Sequence, residues 1–165
     1  MKQTGLIRLR DVLRGESAGN SPELLIVGPV EELEGPGSIF DRFAWPKRHV
    51  RSCQEVFLQV WASAPRVVVC ERDLPDGDWK DVLAIALSLP VPPPVIVTSR
   101  LADDYLWAEV LNLGGYDVLA KPFDAEELRR TMNLAWERWA SLKSLLPRSS
   151  ASRPSRRSPV LSATA

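Results

Sequence analysis

The sequence predicts a doubly wound α/β domain built on a parallel five-stranded sheet. Short apolar, β-branched runs recur at residues 24–27, 66–70, 95–98 and 117–120. They are too short for helices and lack polar alternation, as expected of strands buried on both faces. Between them lie segments with apolar residues at helical spacing. Strand–helix alternation of this kind needs crossover connections, which make neighbouring strands parallel.

Each element has its own local reason. Residues 1–20 hold Leu6, Ile7, Leu9, Val12 and Leu13 among Arg8, Arg10 and Arg14, and read as a flexible leader rather than a stable amphipathic helix. The first strand, Leu24–Val27, is stopped by Gly28 and Pro29. A helix start at residues 30–33 is broken by Gly35, Pro36 and Gly37. Ser38 can cap a brief helix through Ala44, with Ile39, Phe40 and Phe43 inward. Residues 45–50 pattern poorly but lie where a second strand is needed.

Ser52 and Glu55 form a capping-box signature before a helix ended by Pro65, in which Val56, Phe57, Val60, Trp61 and Ala64 recur at helical spacing. The third strand covers 66–70. Asp78 can cap a helix over 79–89, and the prolines at 90 and 92–94 make a stiff connector. A fourth strand at 95–98 precedes a helix over 102–113 that stops at Gly114-Gly115. The fifth strand is Asp117–Ala120. Asp124 and Glu127 then cap a last helix, 125–146, with Leu128, Met132, Ala135, Trp136 and Trp139 on one stripe. Residues 147–165, rich in Ser, Arg, Pro and Ala, cannot bury a core and are expected to be a disordered tail.

Composition narrows the function classes. Lys plus Arg and Asp plus Glu both number 21, so no whole-chain field draws nucleic acid or an anionic membrane. Nucleic-acid binding would rest on Arg148, Arg153, Arg156 and Arg157 in the tail, where solvation is the simpler reading. The single histidine, His49, argues against a His-based triad, and Cys53 and Cys70 lack metal-ligand spacing. Both cysteines read as reduced residues of the fold. No h-region marks a signal peptide, and the prolines interrupt the most apolar stretch, so a cytoplasmic location without membrane insertion is the expectation.

Chemistry is expected at the carboxyl ends of the strands, where open α/β sheets place their ligands. Glu71 stands at the end of the third strand, followed by a loop with Asp73, Asp76 and Asp78. Those three lack the ligand ladder and distal glutamate of an EF-hand loop, so a solvated turn is expected.

Glu71-Arg-Asp-Leu-Pro-Asp-Gly resembles the loop after the third strand of response-regulator receiver domains, with Pro75 four residues after the strand-end carboxylate. Residues 95–99, Val-Ile-Val-Thr-Ser, resemble the fourth strand of that family. Residues 114–123, Gly-Gly-Tyr-Asp-Val-Leu-Ala-Lys-Pro-Phe, resemble the fifth strand with its Lys-Pro-Phe ending. The resemblance covers about 21–146. It implies a flavodoxin-like (receiver) fold with strand order 2-1-3-4-5. It also implies two-component, phosphorelay signalling, in which a histidine kinase phosphorylates a strand-end aspartate beside Mg²⁺. On this resemblance Glu71 holds the phosphoacceptor position, Thr98 and Lys121 the phosphoryl-contact positions, and Val118 the switch position.

The departures carry as much weight. The acceptor position holds glutamate, Gly28 and Pro29 replace the acidic pair that helps bind Mg²⁺, and the switch position holds no aromatic. Mg²⁺ binding is therefore expected to be weak or absent, and no catalytic or metal-ligating residue is assigned. The extra methylene of Glu71 suits a pair with Lys121 better than phosphoryl transfer. The expectation is a degenerate, phosphorylation-independent, stand-alone receiver acting through protein partners, whether a kinase or an output protein. A homodimer would use the face of the 102–113 helix, where Tyr105 and Trp107 lie, and the last helix. The competing class is a small-ligand-binding protein or enzyme on the same fold, for which no glycine-rich phosphate loop or nucleophile elbow is present.

Overall fold

The computed structural model describes residues 23–29 and 38–146. The expected leader, the helix start at 30–33 and the tail lie outside the described residues. The elements are β1 (Leu24–Val27), a 3-10 turn (Ile39–Arg42), β2 (Lys47–Val50), α1 (Cys53–Ala62), β3 (Val67–Glu71), β4 (Asp73–Leu74), β5 (Gly77–Asp78), α2 (Trp79–Leu87), β6 (Val95–Ser99), α3 (Asp104–Leu113), β7 (Asp117–Ala120) and α4 (Ala125–Leu145). The main sheet is parallel, in the order β2-β1-β3-β6-β7. With the small β4–β5 hairpin set aside, that is the expected order 2-1-3-4-5.

Strand alternation explains why the central runs are apolar throughout. Leu25, Val27, Val68, Cys70, Val95 and Val97 face α1, α2 and α3. Leu24, Ile26, Val67, Val69 and Ile96 face α4 and Phe40 of the 3-10 turn. Each central strand lies between two helical layers, so both of its faces must be apolar.

Side-chain caps start the helices. Ser52 Oγ accepts from the Glu55 amide at 3.2 Å, but the Glu55 carboxylate takes the Arg51 amide at 2.7 Å instead of closing the expected box. Asp78 and Asp81 do form a reciprocal box on α2. Asp103 and Asp124 each accept an amide three residues on, both at 2.8 Å. Gly114, at φ +98°, ends α3 in the left-handed conformation.

The structure corrects several readings. The brief helix after Ser38 is a single 3-10 turn, and the helix expected over 79–89 stops at Leu87. On α1 only Val56 and Val60 are buried; Phe57 and Trp61 are 53% and 52% exposed, because one helix face is enough to cover the sheet here. The Asp loop, expected as a solvated turn, has an exposed turn at Pro75–Asp76 but also closes into a two-stranded hairpin that the sequence did not suggest. Among the described residues, no helix is long and apolar enough to cross a membrane.

Candidate functional site at the strand ends

Three neighbouring strand tips build the site. β3 runs one residue further than expected, so Glu71 is its last residue and stands in register with Thr98 of β6. Ser99, next on β6, is in register with Ala120 of β7, and Lys121 follows directly, its amide donating to the Ser99 carbonyl at 2.9 Å. Parallel register thus places positions 71, 98 and 121 side by side, although 50 residues separate the outer two.

Their side chains meet on one oxygen. Lys121 Nζ donates to Glu71 Oε2 at 2.5 Å, and Thr98 Oγ1 donates to the same oxygen at 3.1 Å. Thr98 Oγ1 also lies 3.4 Å from the Cys70 carbonyl, so its one hydrogen is shared between two acceptors. Thr98 is buried, and the side chains of Lys121 and Glu71 are 9% and 14% exposed. A charge-assisted bond with so little water around it is strong and geometrically fixed.

The other expected positions behave differently. Val118 lies one strand residue below the Leu119–Ala120 tip, half-buried against the α1–α3 side of the core. Gly28 is held by its amide to the Val50 carbonyl at 3.0 Å, and its φ of +150° is one that side-chain-bearing residues rarely adopt. Backbone conformation therefore disfavours an acid there as much as the sequence omits one. Asp73 is exposed and paired with Arg72 at 2.7 Å.

A divalent cation such as Mg²⁺ wants near-octahedral oxygen donors, usually including one or two carboxylates. The described residues at this point offer one carboxylate, and an ammonium already sits on it. That donor set does not fit the ion.

Two features escaped the sequence. Asp76, at the hairpin tip, accepts from the Cys53 amide at 2.8 Å and the Gln54 amide at 3.0 Å, so the loop after Glu71 caps α1. These backbone bonds hold its carboxyl below the usual range. Its partners lie 22 and 23 residues upstream, beyond the reach of any local motif. Trp107 Nε1 donates to Asp117 Oδ1 at 3.1 Å, tying α3 to the edge strand while the ring stays half exposed. Trp139 is buried and Trp136 half-buried in the α4 stripe, as expected. Neither thiol is a candidate nucleophile. Cys53 is pushed up to about 11 by burial and then by Asp76 and Asp81, and burial drives Cys70 well above the ordinary thiol range.

No protein-family model matches the sequence, and no curated protein matches it. Solved structures do match by shape. The signal receiver domain of an HD domain-containing protein from Pseudomonas fluorescens is 23% identical, with a TM-score of 0.67, over 79% of this chain and 97% of that one. The receiver domain of Francisella response regulator 1452 is 23% identical, with a TM-score of 0.62, over 71% and 98%. The beryllofluoride-activated NtrC4 receiver domain dimer is 21% identical, with a TM-score of 0.63, over 71% and 98%. The chain has the receiver fold, as the strand-end motifs implied.

Proposed function

We propose that this receiver fold serves as a phosphorylation-independent signalling module, acting through protein–protein contacts within a two-component pathway. The observation that carries the proposal is the Glu71–Lys121 pair with Thr98 on the same oxygen. In receivers the lysine and the hydroxyl contact the phosphoryl group; here both are directed at a side chain of the chain itself. The switch is set by covalent structure, with no group left to be added or removed.

Chemistry at the acceptor is disfavoured on two counts. Glu71 places its oxygens about one C–C bond, ~1.5 Å, from where an aspartate would. Misplacement of about 1 Å costs on the order of 100-fold in rate. Among the described residues at this point the metal that neutralises charge in phosphoryl transfer would find one carboxylate, already paired with Lys121, so weak or absent Mg²⁺ binding is the expectation. In this reading the protein turns over no substrate. Its output lies in a surface, and Tyr105 and Trp107 on α3, 78% and 49% exposed, are the apolar groups best placed to meet a protein partner or a second copy.

Incubation with acetyl phosphate and Mg²⁺, followed by intact-mass measurement, tests the proposal. The expected result is an unchanged mass. A stable phosphoryl adduct that vanishes in Glu71→Ala would overturn it.

A further inference from the structure

Helix α1 carries two apolar faces. Val56 and Val60 are buried in the core, and Cys53 packs beside them. On its outward side Gln54, Phe57, Leu58 and Trp61 fall at i, i+3, i+4 and i+7, one continuous stripe of the helix. Phe57, Leu58 and Trp61 are 53%, 63% and 52% exposed. Three large apolar side chains grouped on so short a helix differ from the scattered exposed residues that any surface shows. Two of the three are aromatic, the kind of side chain that anchors the core of an interface.

The stripe has no charge. Glu55 is the one charged residue of α1, and its carboxylate is turned to the Arg51 amide at 2.7 Å. Contact about a two-fold axis brings each charge of a surface near its own copy, so a neutral apolar stripe suits self-contact and a charged one does not. The α3 face is different. Tyr105 and Trp107 stand among Asp103, Asp104 and Asp117, where self-contact would set acid against acid. We propose that α1 pairs with α1 of a second copy, antiparallel about a two-fold axis, which leaves α3 to a partner of another kind.

An axis passing between Phe57 and Leu58 seats each Phe57 on the partner's Leu58 and each Trp61 beside the partner's Gln54. Both copies of Leu58 then belong to the central four side chains. Area sets the strength of such a contact. A covered aromatic side chain buries about 150–250 Å², so the exposed parts of these three residues come to roughly 300 Å² per copy. A standard interface takes about 800 Å² per copy. The three apolar residues are therefore the core of the patch. Its rim comes from Arg51, Gln54 and Ala62, all exposed, and from α2, which packs alongside α1. An interface of that size, on so short a helix, makes a reversible dimer. The inference rests on α1 alone and holds whether or not Glu71 accepts a phosphoryl group.

Sedimentation equilibrium of the full chain between about 10 μM and 1 mM provides the test, over the range in which a weak contact dissociates. The average mass is expected to rise from one chain towards two, and to do so equally in ~1 M salt, because screening acts on charges and the stripe has none. Leu58→Glu and Leu58→Lys, at an exposed position that the fold does not depend on, should each weaken association on the order of 10-fold or more. An equimolar mixture of those two variants should associate again, because opposite charges then meet near the axis. Tyr105→Glu should leave association unchanged. A wild-type chain that stays single across the range, association that survives Leu58→Glu or is lost in Tyr105→Glu, or a mixture that stays single would each overturn the proposal.

Discussion

One methylene separates glutamate from aspartate, and at position 71 it carries the carboxylate onto Lys121 Nζ. Desolvation offsets much of the attraction in such a pair, so its presence alone says little about stability. Removing one partner is different, because the other is left charged and short of water. Lys121→Met is expected to lower the unfolding free energy in urea by on the order of 2 kcal/mol, below the ~3–5 kcal/mol of a fully buried pair. Glu71→Gln/Lys121→Met should recover most of that loss. A double variant no more stable than the single would show that the pair is not coupled.

The thiols give a second expectation at this scale. An unfolded thiol titrates near 9.0, whereas Cys53 in the fold holds its proton to about 11. Between those values the unfolded chain releases protons that the native one keeps, so stability falls as pH rises from about 9 to 11. Alkylation at pH 8 should be slow in the native protein and rapid in urea. Equal rates would contradict the burial of Cys70 and the raised titration of the partly buried Cys53.

Elements here begin with carboxylate or hydroxyl caps, and α3 ends on glycine. Asp124→Ala removes the acceptor for the Glu127 amide and should destabilise the protein by about 1 kcal/mol. Gly114→Ala forces a side chain into φ +98° and should cost about 1–2 kcal/mol, although its Cβ would meet only Leu87 Cδ1, at 3.8 Å. Urea midpoints measure both, and a Gly114→Ala midpoint equal to wild type would show that strain is absent at that turn. Most of these devices were legible in the sequence, because a cap and its amide lie three residues apart. The Asp76 cap on α1 was not, because the hairpin that delivers it is a tertiary arrangement.

For the molecule as a whole, the sheet predicts a gradient of local stability. Residues of β1 and β6, and all of β3 except Glu71, are buried between two helical layers, whereas β2 and β7 are edge strands with exposed positions. Native-state amide exchange should be slowest in β1, β3 and β6 and faster in β2 and β7. Edge strands as protected as β3 would mean that another element, or another molecule, covers them. The same layering explains why β2, with its Lys-Arg-His-Val sequence, was hard to recognise: an edge strand carries little of the apolar signal that marks a central one.

The amino-acid order alone determined the number and sequence of the main strands, the parallel sheet and the three residues brought to its carboxyl edge. The parallel sheet and its apolar strands follow from local periodicity and from the handedness of strand–helix–strand connections, whereas Thr98 and Lys121 were singled out by the resemblance of the strand-end motifs to receiver domains and β2 only by its place in that order. The tertiary structure decided which atoms meet. Register between strands far apart in sequence brought Lys121 and Thr98 to the same oxygen of Glu71, carried Asp76 to the amides of α1, and left Phe57 and Trp61 facing solvent. Spacing can nominate such residues, but distances across a sheet are fixed only when the whole core packs.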